Sequence, residues 1–174
     1  MRRAAVSLVV AALAAAILAC QPRAEPPRLG VHAIHAEATR HRLVSRGVEG
    51  YWLEVTWAIR NDTAQPAHLL VMPPGAIADA DPLVLEHTAR DGIPSVSALA
   101  PVNPSFREIG PGTAIELDER YPLPPWDFAA GRSVVGRFGV GATSPDPGWA
   151  QHPPWATIAA WQTVVAARPF TIRS

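Results

Sequence analysis

Tyr51-Trp52-Leu53-Glu54-Val55-Thr56-Trp57-Ala58-Ile59-Arg60 is the stretch that sets the fold class. Tyr51, Leu53, Val55, Trp57 and Ile59 are all large and apolar, whereas Trp52, Glu54, Thr56, Ala58 and Arg60 are mostly polar or small. Successive side chains of a strand point to opposite faces. The period of two therefore predicts a half-buried strand, one face on a core and the other toward water. Asn61-Asp62 ends it with side chains that favour turns. Ser45 to Gly50, with Gly47 and Gly50, reads as the turn before it.

Weaker signals extend outward on both sides. Leu29 to Val44 predicts a first strand region of loose alternation. Ala67 to Met72 predicts another strand, stopped by Pro73-Pro74-Gly75, and Pro82 to His87 a short one. Asp91 to Gly110 reads as loop, with Pro94, Pro101 and Pro104. Pro111-Gly112 is a turn before Thr113 to Leu123, where Ile115, Leu117 and Tyr121 share a face with Glu119. Gly131-Arg132 leads into a strand at Ser133 to Ala142. Ser144 to Pro154 is a proline-rich loop, Trp155 to Ala160 one or two helical turns, and Trp161 to Ile172 a last strand. The 19 prolines exclude long helices, because proline lacks the amide and clashes with the preceding turn.

About seven to eight short strands with turn residues between most of them predict an all-β sandwich; a closed barrel is the alternative. The order resembles the immunoglobulin-like domains of small bacterial envelope proteins. The residues that carry this resemblance are Ile59-Arg60-Asn61-Asp62, Pro111-Gly112 before Ile115-Glu116-Leu117, and Ala130-Gly131-Arg132 before Val134-Val135. It implies an immunoglobulin-like β-sandwich. The antibody-type cysteine pair is absent, and Leu123 stands where a tyrosine corner at Tyr121 is usually followed by cysteine.

The first residues divide into the parts of a signal peptide, expected over residues 1–19. Arg2 and Arg3 precede an apolar run from Ala4 to Ala19, broken only by Ser7. Its 16 residues fall short of the ~20 that span a bilayer. The run ends at Cys20, the chain's one cysteine. Ile17-Leu18-Ala19-Cys20 resembles the lipobox of bacterial lipoproteins. That resemblance implies cleavage before Cys20, a diacylglycerol on its thiol and usually an acylated amino terminus. Two or three acyl chains anchor firmly, where one binds only marginally. Gln21 is not the Asp that resembles an inner-membrane retention signal, so the resemblance implies a cell-envelope protein on the outer membrane facing the periplasm. Residues 20–28 hold Pro22, Pro26 and Pro27 and predict a stiff lipidated tether; the eight residues after Cys20 reach ~26 Å at most. The expected sandwich domain is 29–174.

From Cys20 onward, 13 arginines face 15 acidic residues, a net charge of −2 with histidine neutral, and there is no lysine. This gives no basic footprint for nucleic acid. With one cysteine, the domain is held by core packing rather than by disulfides.

Three kinds of site can be sought in the sequence. Of the six histidines, His32, His35, His41, His68, His87 and His152, no pair has zinc-type spacing. His32 and His35 are an odd number apart and point to opposite faces of a strand, and His68 and Met72 are ~13 Å apart at strand rise. Only convergence from different strands would build a periplasmic metal or small-ligand site, which is the alternative function. No cofactor and no metal ligand set is expected. For catalysis, Gly131-Arg132-Ser133-Val134-Val135-Gly136 is one residue too long for a nucleophile elbow. Glu116, Asp118 and Glu119 do acid–base work only in a cleft that separates their pKa values. Trp126, Trp149, Trp155 and Trp161 lie among prolines, either as a rigid amphipathic binding surface or as a cap on one end of the core. The expectation is a non-enzymatic binding or accessory domain. It is held at the membrane through Cys20 and meets an envelope protein or a glycan.

Overall fold

The computed structural model describes residues 33–73, 75–77, 81–90, 93–94, 103–123 and 131–173. The signal peptide, Cys20, the tether, His32 and Trp126 lie outside the described residues. In chain order the strands are β1 (Ile34–Ser45), β2 (Tyr51–Asn61), β3 (Ala67–Val71), β4 (Gly75–Ile77), β5 (Leu83–His87), β6 (Ala89–Arg90), β7 (Ile93–Pro94), β8 (Ser105–Ile109), β9 (Ala114–Leu123), β10 (Ser133–Gly141), β11 (Thr163–Ala166) and β12 (Phe170–Thr171). A helix, α1 (Trp155–Trp161), precedes β11. The fold is all-β. Eight of the described strands have four residues or more, and the others are short pieces of two or three.

Two sheets pack as a sandwich. The first is antiparallel in the order β1-β2-β9. The second runs β4-β5-β10-β3-β8, with β11 and β12 also paired to β10. Strand β10 is its hub. It lies parallel to β5 over Val134–Phe138 and antiparallel to β3, β11 and β12.

The alternation of β2 is realised as the sequence predicts: Leu53, Val55, Trp57 and Ile59 are buried between the sheets. Tyr121, Leu117 and Leu123 of β9 join them, with Leu69, Leu83, Leu85, Val134, Phe138 and Val140 from the second sheet. Each such aliphatic or aromatic side chain removed from water contributes roughly 1.5–3 kcal/mol before the cost of ordering it.

Strand β1 explains why its alternation is weak in the sequence. Ile34 and Ala36 face the core, opposite Asn61 and Ile59. The register then shifts between Ala38, opposite Trp57, and Arg40, opposite Thr56. Thr39 is the extra residue of this β-bulge, and one extra residue exchanges the faces of everything that follows. Without it Arg40 and Arg42 would point into the core. With it they lie on the outer face, and His41 and Leu43 take the inner row beside Val55 and Leu53. The Thr39 hydroxyl donates to the Thr56 carbonyl at 3.2 Å.

The β8–β9 turn is the other fixed point. Gly112 has φ +66°, a left-handed conformation that favours glycine, and its amide donates to the Asn61 carbonyl at 2.8 Å. The buried Asn61 side chain donates to the carbonyls of Gln65 and Ile109 and accepts from Thr63.

Two segments depart from expectation. Ser105 to Ile109, inside the stretch read as loop, forms β8. It is an edge strand with one fully buried side chain, Ile109, so its pairing with β3 leaves little hydrophobic signal. The final stretch is two strands rather than one, because Pro169 has no amide to donate and stands in the gap between β11 and β12.

Candidate functional site

The two sheets differ in what covers their outer faces. Helix α1 and the turn at Pro147–Ala150 lie on the back of the second sheet. There Leu70, Met72, Ala89 and Ile158 form a small second core. Trp149, Trp155 and Trp161 pack against it, each partly buried. The Trp149 and Trp161 rings meet edge to face at 5.9 Å, and Phe106 lies 5.5 Å from Trp161. The Trp161 indole donates to the Thr143 carbonyl at 3.0 Å and lies so close on Gly141 that a Cβ there would collide with its ring. The structure thus brings together three of the four tryptophans named from the sequence; Trp126 is outside the described residues.

Among the described residues nothing packs over the outer face of the first sheet. Over it lies a concavity of about 1350 Å³, lined by β1, β2, β9 and Arg173. Its floor is set by register. Arg42, Glu54 and Arg120 form one row across the three strands, and Arg40, Thr56 and Asp118 form the next. Glu54 is the centre: its carboxylate accepts from Arg42 Nε and forms an ion pair with Arg120, whose Nε lies 3.0 Å away. Beside it the Thr56 hydroxyl donates to Asp118 Oδ1 at 2.6 Å. Both arginines approach Glu54 with Nε, and among the described residues no partner engages the paired Nη donors of either guanidinium. Arg40 and Arg173 have no carboxylate partner among the described residues.

Glu119 belongs to the inner row with Val55 and His41, yet contributes to the concavity. It is half-buried, and burial pushes its carboxyl up to about 7. The Arg107 guanidinium pulls the other way, and the neighbouring Asp118 adds a smaller upward push.

Directly beneath, the inner face of the same two strands carries a second polar group. Trp57 Nε1 donates to the Tyr121 hydroxyl at 3.0 Å, and that oxygen lies 2.5 Å from His87 Nε2. All three residues are fully buried. If the Tyr121 hydroxyl donates to Nε2, the neutral imidazole carries its proton on Nδ1. Nδ1 makes no hydrogen bond of ordinary geometry, although the Met72 backbone lies near enough to favour the charged form. Burial outweighs this and lowers the imidazole to about 4. The same burial holds the Tyr121 phenol protonated far above its usual range. His87 also stacks on Phe138, 5.2 Å between centroids and 5° between planes.

The remaining described histidines are dispersed. His35 lies 3.5 Å from Asp62, the His41 ring lies tilted against Phe170 with centroids 4.5 Å apart, His68 is on the back of β3, and His152 is exposed. Among the described residues no three His, Cys, Asp or Glu side chains come together as a metal would require. The arginine row was not singled out from the sequence. Arg40, Arg42, Glu54, Asp118 and Arg120 alternate visibly in their strands, but the bulge and the pairing register decide that they share a face. His87 had a readable signal: it is in phase with Leu83 and Leu85 on the buried strand β5. No protein-family model, curated protein or solved structure matches this chain.

Proposed function

We propose that this protein is an envelope lipoprotein, anchored through diacylglycerol on Cys20, whose immunoglobulin-like sandwich acts as a non-enzymatic binding or accessory module. Ile17-Leu18-Ala19-Cys20 behind an apolar run supports the anchor. Gln21, in place of Asp, supports the outer membrane facing the periplasm as its location. The observation that carries the binding role is the asymmetry of the two outer faces. One is covered by α1 and its tryptophans, and the other is left as an open concavity with oriented charged side chains. An open, preorganised polar face suits recognition, because fixing the side chains beforehand lowers the cost of binding.

Two measurements in intact cells test this reading. A fatty-acid analogue should label the protein and fail to label Cys20→Ala; label retained by that variant overturns the anchor. A photo-crosslinking residue at position 40 should give a discrete adduct that a crosslinker at position 155 does not. Equal adducts at both positions, or none at position 40, overturn the assignment of the binding face.

A further inference from the structure

We infer that the concavity on the β1-β2-β9 face is a binding site for a ligand carrying two or more phosphate groups. This deepens the binding role proposed above and rests on it. The Glu54 carboxylate, which accepts from Arg42 Nε and ion-pairs with Arg120 Nε, draws both guanidiniums to one point, and among the described residues nothing engages their Nη edges. Those edges are the part of arginine whose fork matches phosphate oxygens two at a time.

Spacing and charge then choose the ligand. Arg42 and Arg120 stand on strands separated by β2, roughly 9.6 Å apart at the backbone, and their guanidiniums converge on the Glu54 carboxylate between them. A single small anion satisfies one fork, whereas linked phosphates reach both. Four arginines line the concavity, Arg40, Arg42, Arg120 and Arg173, against three carboxylates, Glu54, Asp118 and Glu119. Glu54 is committed to two of the arginines and Asp118 to Thr56, while Arg40 and Arg173 have no carboxylate partner among the described residues. The charge left for a ligand is therefore positive. The concave shape admits a ligand of several linked groups.

Such phosphates come either from a soluble polyphosphate or from a phosphorylated lipid headgroup, and the experiment separates the two. Pyrophosphate is titrated into the purified full chain carrying Cys20→Ala, which takes no lipid, by calorimetry, alongside flotation of the same protein with phosphatidylcholine vesicles with and without cardiolipin. The expected result is saturable one-site binding of pyrophosphate, weakened about tenfold or more by Arg42→Gln, Arg120→Gln or Glu54→Gln. Arg60→Gln, on the same sheet but paired with Asp62 outside the concavity, should bind as the parent does. Cardiolipin-dependent flotation displaced by pyrophosphate identifies a lipid source at the same site; no flotation with pyrophosphate binding identifies a soluble one. The inference is overturned if pyrophosphate does not bind, if Arg60→Gln loses as much affinity as Arg42→Gln, or if flotation occurs without displacement. Unchanged melting temperatures of the variants show that any loss is not unfolding. Because crosslinking at position 40 reads out any partner, failure here with crosslinking intact removes the phosphate ligand and leaves the binding face standing.

Discussion

Two polar networks sit back to back on β2 and β9, and each joins three side chains through a central oxygen. Inside, the Tyr121 hydroxyl stands between Trp57 and His87; outside, the Glu54 carboxylate stands between Arg42 and Arg120. The inner network is neutral and sealed between the sheets. The outer one is ionic, with the two arginine side chains about 70 % exposed and Glu54 19 %. The comparison shows how one pair of strands divides labour between its faces. A sealed hydrogen bond is expensive to break, because its orphaned partner stays out of water. An exposed ion pair contributes little stability, since water and salt screen it. The inner network is therefore expected to matter for folding and the outer one for recognition.

The sharpest way to break this comparison is Trp57→Ala. It removes the largest fully buried side chain and the donor to Tyr121 together, and should cost about 3–5 kcal/mol in urea unfolding. Next comes pH. The neutral form of His87 is favoured in the fold, with its value near 4 against 6.5 in the free side chain. Between these values the unfolded chain binds the extra proton, so the contribution of His87 is full above pH 6.5 and falls as pH drops toward 4; the raised Glu119 carboxyl acts in the opposite direction, so the His87 share is read as the difference between the parent and His87→Phe. The loss amounts to about 3 kcal/mol at the acid end. Denaturation midpoints across this range check it, and His87→Phe should flatten the slope. Tyr121→Phe keeps the ring but leaves Trp57 Nε1 and His87 Nε2 without their shared partner, a cost of about 1–3 kcal/mol by the same unfolding measurement. The smallest effect belongs to the outer network: Glu54→Gln should change stability by less than about 1 kcal/mol. A loss as large as that of Tyr121→Phe would erase the distinction between the two faces.

The sequence made the inner face easier to read than the outer one, for a physical reason. A buried face must be apolar at every second position, so Leu53, Val55, Trp57 and Ile59 declare it in a single strand. Strands β2, β3, β5, β9 and β10 and helix α1 lie within a residue or two of where their patterns put them. An exposed face carries no such constraint within one strand. It exists only once three strands are in register, and that register depends on where Thr39 is inserted. Strand β8 was illegible for a related reason. Arg107, exposed, is in phase with the buried Ile109, and a charge there breaks the apolar alternation. Inward charge on an edge strand blunts the pairing of stray strands, and Glu119 on β9 follows the same pattern. The two short strands at the end were obscured by Pro169, which reads as an edge feature when it is a gap.

The bulge at Thr39 has a consequence for how this domain can vary. Elsewhere in the sheet a change of residue identity alters one side chain. At Thr39 the quantity that matters is the number of residues. Losing one codon there would carry Arg40 and Arg42 into the core and His41 and Leu43 out to water, while every other letter of the strand stayed the same. Half of one face of β1 is thus encoded as a length.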